Sequence, residues 1–182
     1  MIRKLRKNLR NFFKDDDGTV AIEAAVILPM LLWAFVAMWV FFDAYRARSM
    51  TEKAAFTISD MLSRETSAID EEFLISAKNL FDLLAGSDSA SGLRVTVISY
   101  SGVDDDYDME WSKVQGNIDA MDGSSMSDLT GSLPTMTSGE TLILVETRST
   151  YEPALDVGIG DHTFETFIFT RPRFAPQLIW DS

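Results

Sequence analysis

The sequence predicts an α+β protein in which a long N-terminal transmembrane helix continues into a stalk, and a second helix packs on a small antiparallel β-sheet. Three observations carry this. Nineteen residues, Ala24 to Phe42, carry no charge, and neither glycine nor proline occurs from Met30 to Ala85. Beyond Gly92 the apolar residues change from helical spacing to strand alternation.

The uncharged run comes first. As a helix rising about 1.5 Å per residue it extends roughly 28 Å, close to the roughly 30 Å hydrocarbon core of a bilayer. Ahead of it, Arg3, Lys4, Arg6, Lys7, Arg10 and Lys14 outnumber Asp15, Asp16 and Asp17 by three, which leaves −15 of the whole-chain −12 on residues 19 to 182. The positive-inside rule therefore places the N-terminus in the cytoplasm and the acidic remainder across the membrane, in a bacterium the periplasm or beyond, with Arg46 and Arg48 a weaker opposing signal. A cleaved signal peptide would have an apolar region of about 7 to 15 residues followed by a small-x-small site. This run is longer, and no Ala-x-Ala follows it before Tyr45-Arg46-Ala47-Arg48. The boundaries read as a basic cytoplasmic leader at 1–18, a transmembrane helix at 19–45, a helical stalk at 46–66 and an exported α+β domain at 67–182.

Glu23 stands at the mouth of the span, five residues after Gly18. An acid in that position is a functional hypothesis, because a plain anchor gains nothing from it. Its bland reading is an interfacial carboxylate that reaches back to water. Gly18 lets an extended backbone approach a protease cleft without a Cβ clash, and the three aspartates before it are poor helix formers. Pro29 removes one helical hydrogen bond, a defect that membrane helices tolerate.

Gly18-Thr19-Val20-Ala21-Ile22-Glu23 followed by a long apolar segment resembles the class III leader of type IV pilin-like proteins. More narrowly, residues 17 to 32, Asp-Gly-Thr-Val-Ala-Ile-Glu-Ala-Ala-Val-Ile-Leu-Pro-Met-Leu-Leu, are similar to the opening of the TadE/TadG-like pseudopilins of tight-adherence (Flp) pilus systems. Arg171-Pro172-Arg173 resembles the basic-Pro-basic ending of such proteins. The resemblance implies cleavage between Gly18 and Thr19 by a prepilin peptidase, with Glu23 and Pro29 serving assembly. Glu23 would meet the new amino group of a neighbouring subunit's Thr19. It also implies other pilins or pseudopilins and inner-membrane pilus assembly proteins as partners, with the protein acting as a minor pilin in the inner membrane. An unprocessed single-span periplasmic adaptor or sensor is the alternative, and an anchored periplasmic enzyme the third reading.

Past the membrane, Met50, Ala54, Ile58 and Met61 recur at helical spacing. Glu65-Thr66-Ser67 is the expected break, with Ser67 capping a second helix whose first turns carry Asp70, Glu71 and Glu72. Ile69, Phe73, Ala77, Leu80 and Leu84 form its apolar face, and Gly86 ends it. Strands are expected at Leu93 to Tyr100, Tyr107 to Val114, Thr141 to Tyr151 and Phe164 to Thr170. The turn-forming residues of Gln115 to Gly139 read as a long loop with one helical turn.

The composition is quiet about chemistry. There is no cysteine, so disulfides, thiolate metal sites and cysteine nucleophiles are excluded. The single histidine, His162, sits in a turn before a strand, where abundant serines and aspartates make a triad uninformative. Asp104, Asp106, Asp108 and Glu110 resemble the opening of a calcium loop, but Met109 and Gln115 replace the required glycine and glutamate. Alternation of this kind is the ordinary pattern of a solvated edge strand. Asp122-Gly123-Ser124-Ser125-Met126 approaches the metal motif of von Willebrand A-type domains, carried by some larger tight-adherence pseudopilins. Met126 breaks the motif and no apolar strand precedes it. The acidic balance speaks against nucleic-acid binding. No cofactor, metal or catalytic residue is assigned, and an assembly protein is expected in place of an enzyme.

Overall fold

A computed structural model describes residues 17–86, 91–121 and 129–181. In chain order it has helix α1 (Asp17–Arg64), helix α2 (Glu71–Ala85), strands β1 (Gly92–Ser101), β2 (Asp106–Gly116), β3 (Thr141–Tyr151) and β4 (His162–Thr170), with a 3-10 turn at Thr130–Ser132 before β3. The α+β class holds: a long apolar N-terminal helix, a second helix and a four-stranded antiparallel sheet. Residues 1 to 16 of the leader and the Asp122 to Met126 motif lie outside the described residues. The chain divides into two units, Met1–Asp43 and Ala44–Ser182.

Helix α1 begins at Asp17, two residues before the expected start, and takes in Gly18 and Thr19. The helix ends at Arg64, directly before the expected break, with Arg64 paired to Asp60 at 2.9 Å.

Helix α2 starts three residues later than the expected cap. Asp70, not Ser67, is the N-cap, and its carboxylate accepts a hydrogen bond from Phe73 N at 2.8 Å. The reason is a competing pairing at Ile69. Its N–H donates to the Ile179 carbonyl at 2.9 Å and its carbonyl accepts from Asp181 N at 2.8 Å, a parallel bridge to the segment around Trp180 that holds residue 69 out of the helix. Gly86 closes the helix at φ 65 with its N–H on the Asp82 carbonyl, a left-handed position that costs glycine little. The buried face is Leu74, Ala77, Phe81 and Ala85, rotated from the expected stripe, so that Leu84 is exposed while Phe73 and Leu80 sit at the margin.

The strand order is β2-β1-β3-β4, every pairing antiparallel. On one face Leu93, Val95, Val97, Ile143, Val145 and Ile168 share a core with Leu74, Ala77 and Phe81 of α2. Ala54, Ala55, Ile58 and Leu62 of α1 belong to the same core, so residues expected as a stalk contribute to the packing of the Ala44–Ser182 unit. Ile98, Leu142 and Leu144 point the other way and cluster with Met121 and Met136, flanked by Leu129 and Leu133. The connection between β2 and β3, expected as a loop, thus covers the second face of the sheet. Its 3-10 turn falls where one helical turn was expected.

Residues 171 to 181 fasten the ends together. Arg173 N donates to the Ser63 carbonyl at 2.7 Å, and the Arg173 guanidinium lies 3.3 Å from Asp60. Ser63 offers one of the last carbonyls of α1, which have no partner within the helix. Leu178 is buried in the main core, its carbonyl accepting from Trp111 Nε1 at 3.0 Å. Trp180 packs 5.6 Å from the Trp111 ring with Lys113 Nζ 4.8 Å from its centroid.

Candidate functional site

The residues with a predicted role lie on the first half of α1. From Ile22 onward, this helix is long and apolar enough to cross a membrane, with a mean hydropathy of 2.4 in its most apolar stretch. Val26, Leu28, Met30, Leu32, Phe35 and Phe42 are all more than 60% exposed. Their numbering steps around the whole circumference, so no single polar face remains. An all-round apolar helix needs a surrounding apolar medium or partner. Leaving this surface in water would cost on the order of 20 kcal/mol at about 1.5–3 kcal/mol per large side chain. That exceeds the roughly 5–15 kcal/mol by which folded domains are stable, so burial of this surface in lipid or protein decides the state of the molecule.

Glu23 is an exposed residue of α1. Pro29 is also exposed, inside the helix. Six residues separate them, about 9 Å along the axis and about 120° around it, so they do not converge on one point. Gly18 and Thr19 lie in the first turn. A peptidase that needs extended backbone must unwind that turn.

The other candidates lie in the Ala44–Ser182 unit. His162 opens β4 as an exposed residue with its ring 5.8 Å from Phe164. It lines a shallow cleft with Arg48, Glu52, Thr163, Glu165 and Thr166. The Thr166 hydroxyl is 2.5 Å from that of Thr147 and is therefore already partnered.

The acidic row falls at the β1–β2 hairpin. Asp104 lies in the turn, Asp106 and Asp108 on the edge strand β2, and Glu110 at a bulge opposite the Val97/Ile98 step. Their neighbours use them as hairpin acceptors: Ser99 Oγ donates to Glu110 at 2.7 Å and Ser101 Oγ to Asp104 at 3.0 Å. The Tyr100 hydroxyl donates to Asp105 at 2.7 Å, which holds the phenol above the ordinary tyrosine pKa because ionisation would lose that bond. Asp105 itself takes the left-handed φ of 56. Among the described residues, no group of three or more histidine, aspartate or glutamate side chains is arranged to hold a metal ion.

Sequence reasoning passed over one charged constellation. Arg94 on β1 and Glu146 on β3 form a bidentate pair at 2.7 and 2.6 Å, with Arg94 Nη1 donating to the Asp119 carbonyl at 2.8 Å. Their side chains are 15% and 14% exposed. Beside them Arg148 pairs with Glu165 at 2.8 Å, and the four line a shallow cleft with Ile118 and Phe167. The signal in the sequence was an arginine and a glutamate on the same face of two strands otherwise apolar at their centres. It becomes a pair only once the register Arg94↔Glu146 is known.

No protein-family model, curated protein or solved structure matches the chain.

Proposed function

We propose that this protein is a membrane-anchored, pseudopilin-like component of tight-adherence pilus biogenesis, acting by helix-helix assembly and not by catalysis. The observation that carries the reading is the apolar stretch of α1, Ala24 to Phe42, opened by Glu23 and preceded by Gly18-Thr19. In this reading the helix crosses the inner membrane once, the basic leader stays in the cytoplasm, and the second half of α1 is part of a periplasmic head to whose core Ala54, Ala55, Ile58 and Leu62 belong. Prepilin peptidase removes residues 1 to 18. The apolar helix then packs against other pilins, pseudopilins or inner-membrane assembly proteins, with Pro29 easing its fit and Glu23 meeting a neighbour's Thr19 amine. A partner charge there would give an acid at the mouth of the span a task that a plain anchor does not need. The second reading, an unprocessed single-span adaptor or sensor, is favoured by the placement of Gly18 and Thr19 inside the helix.

Intact mass of the membrane-extracted protein separates the two. The pilin reading expects a chain beginning at Thr19, and Gly18→Leu expects full-length protein that still inserts. A full-length species in cells that make working pili sinks the processing step. Glu23→Ala expects normal insertion but reduced co-purification with other pilus components, because it removes a charge from the span while deleting the partner contact. Recovery equal to wild type reduces Glu23 to an interfacial acid.

A further inference from the structure

The sheet has two outer strands, and the chain builds them differently. β2 carries Asp106, Asp108, Glu110 and Lys113 and is bent by a bulge opposite the Val97/Ile98 step. Charges and bulges of this kind keep an edge from pairing with another chain. β4 has no bulge: its register with β3 runs unbroken from Tyr151↔His162 to Ile143↔Thr170. It contains no lysine or proline, and Glu165 is its only acid, set among phenylalanines, threonines and Ile168. Among the described residues, no backbone hydrogen bond is made on the side of β4 away from β3. Nine residues there present roughly 30 Å of free N–H and C=O groups, so what this edge takes is another strand.

Register and charge identify that strand as a second copy of β4. An antiparallel edge pairs with its own copy only in registers centred on a residue, since residues of the same backbone orientation must meet. Centred on Thr166, the whole strand is used, with His162 opposite Thr170. Each Glu165 then stands opposite Phe167 and not opposite the other Glu165, and the exposed Phe169 stands opposite Thr163, a favourable cross-strand pair. One residue beyond each end, Asp161 comes opposite Arg171 of the second copy. Asp161 is exposed and forms no ion pair among the described residues, and Arg171 makes a 3.3 Å contact with Glu140 at an exposed site. We infer that this protein self-associates through β4, two copies pairing antiparallel about Thr166 to join their four-stranded sheets into one of eight strands. All the residues involved lie in the Ala44–Ser182 unit, so the inference stands apart from the membrane-span reading. A strand edge of this length is a small interface, and the dimer is expected at micromolar concentration.

The full chain lacks cysteine, so single substitutions carry unique spin labels. Thr163→Cys, Phe169→Cys and Asp108→Cys, each in the full chain with detergent micelles in excess over protein, are measured by pulsed dipolar spectroscopy. Positions 163 and 169 both lie three residues from Thr166, so the pairing separates each label from its own copy by six residues, about 20 Å of strand. The expected result is the same distance of about 20 Å at both sites and roughly 50 Å at position 108, on the far edge of each sheet. Asp161→Arg turns two exposed attractions into repulsions and should weaken the dimer about tenfold, and adding Arg171→Asp should restore it. No dipolar distance at 163 and 169 up to about fiftyfold above micromolar protein overturns the inference. Unequal distances at the two sites overturn it as well, since the strands are then not centred on Thr166. A distance of about 20 Å at 108 also overturns it, because β2 is then the edge that pairs. Failure of the double charge exchange to restore what Asp161→Arg weakens overturns the register.

Discussion

Breaking the Arg94–Glu146 pair from one side should cost far more than removing it whole. The two side chains, 15% and 14% exposed, are joined by two charge-assisted hydrogen bonds at 2.7 and 2.6 Å. Glu146→Leu leaves the guanidinium facing the sheet with only the Asp119 carbonyl at 2.8 Å. An uncompensated buried charge costs about 3–5 kcal/mol, and the residual exposure here lowers that to about 2–4 kcal/mol. Arg94→Leu should cost a similar amount by stranding the carboxylate. The double variant puts two apolar side chains on neighbouring strands beside Phe167 and Ile118, which line the same cleft, and should cost about 1 kcal/mol or less. The coupling in the double-mutant cycle is then about 5 kcal/mol. In thermal unfolding of the detergent-solubilised full chain followed by circular dichroism, each single variant should lose about 10 °C and the double variant about 3 °C. Additive losses in the double variant would refute the reasoning, since they would mean the two charges do not support each other in the folded head.

Phe81→Ala, at a fully buried centre of the main core, should destabilise by about 3–5 kcal/mol in the same assay. Gly116→Ala should cost more than about 1 kcal/mol, because the residue sits at φ +82 and a Cβ would stand on the Ser91 carbonyl oxygen; an unchanged melting curve counts against that close approach. Asp105→Asn should lower the pKa of Tyr100, seen as an earlier phase in the phenolate absorbance titration of the chain's four tyrosines. The folded pKa is raised, so this bond's stabilisation is complete below the unfolded value of about 10 and is lost as pH rises through the folded one. His162→Ala should change stability by less than about 0.5 kcal/mol and leave assembly intact; loss of function with an unchanged melting curve would return the histidine to the list of active groups.

The elements that read most clearly in the sequence are those in which one local rule dominates. The strands at Thr141 and Leu93 announce themselves by β-branched alternation, and Gly86 ends α2 because the left-handed cap suits glycine. The long apolar helix was legible from nineteen uncharged residues alone. What stayed hidden depended on contacts across long separations. Nothing local to Ser67 reveals that Ile69 will be held by Ile179 and Asp181, which moves the helix start to Asp70. The α2 face turned so that Phe81, the larger side chain, took the centre in place of Leu84. Met121 and Met136 sit among turn formers with no periodicity, so their role over the second face of the sheet became visible only with the fold. Arg94 and Glu146 lie fifty-two residues apart, and only strand register joins them. On the apolar helix the limit was of another kind: Glu23 and Pro29 were readable, but the fold does not bring them together on one point.

The fastening of Ser63 and Ile69 by residues 173 to 181 sets a timetable for synthesis. Ala54, Ala55, Ile58 and Leu62 emerge early, yet their core neighbours Ile143, Ile168 and Leu178 follow some eighty to more than one hundred residues later. At about 5–20 residues per second this is a wait on the order of ten seconds. During that interval only α2 and β1 have emerged to share the core with the helix's oily stripe. The β1–β2 hairpin can close on its own schedule, but the head is finished only when Trp180 reaches Trp111. A nascent chain halted before that point would present a half-built core behind its long apolar helix, the form of this protein most in need of a chaperone.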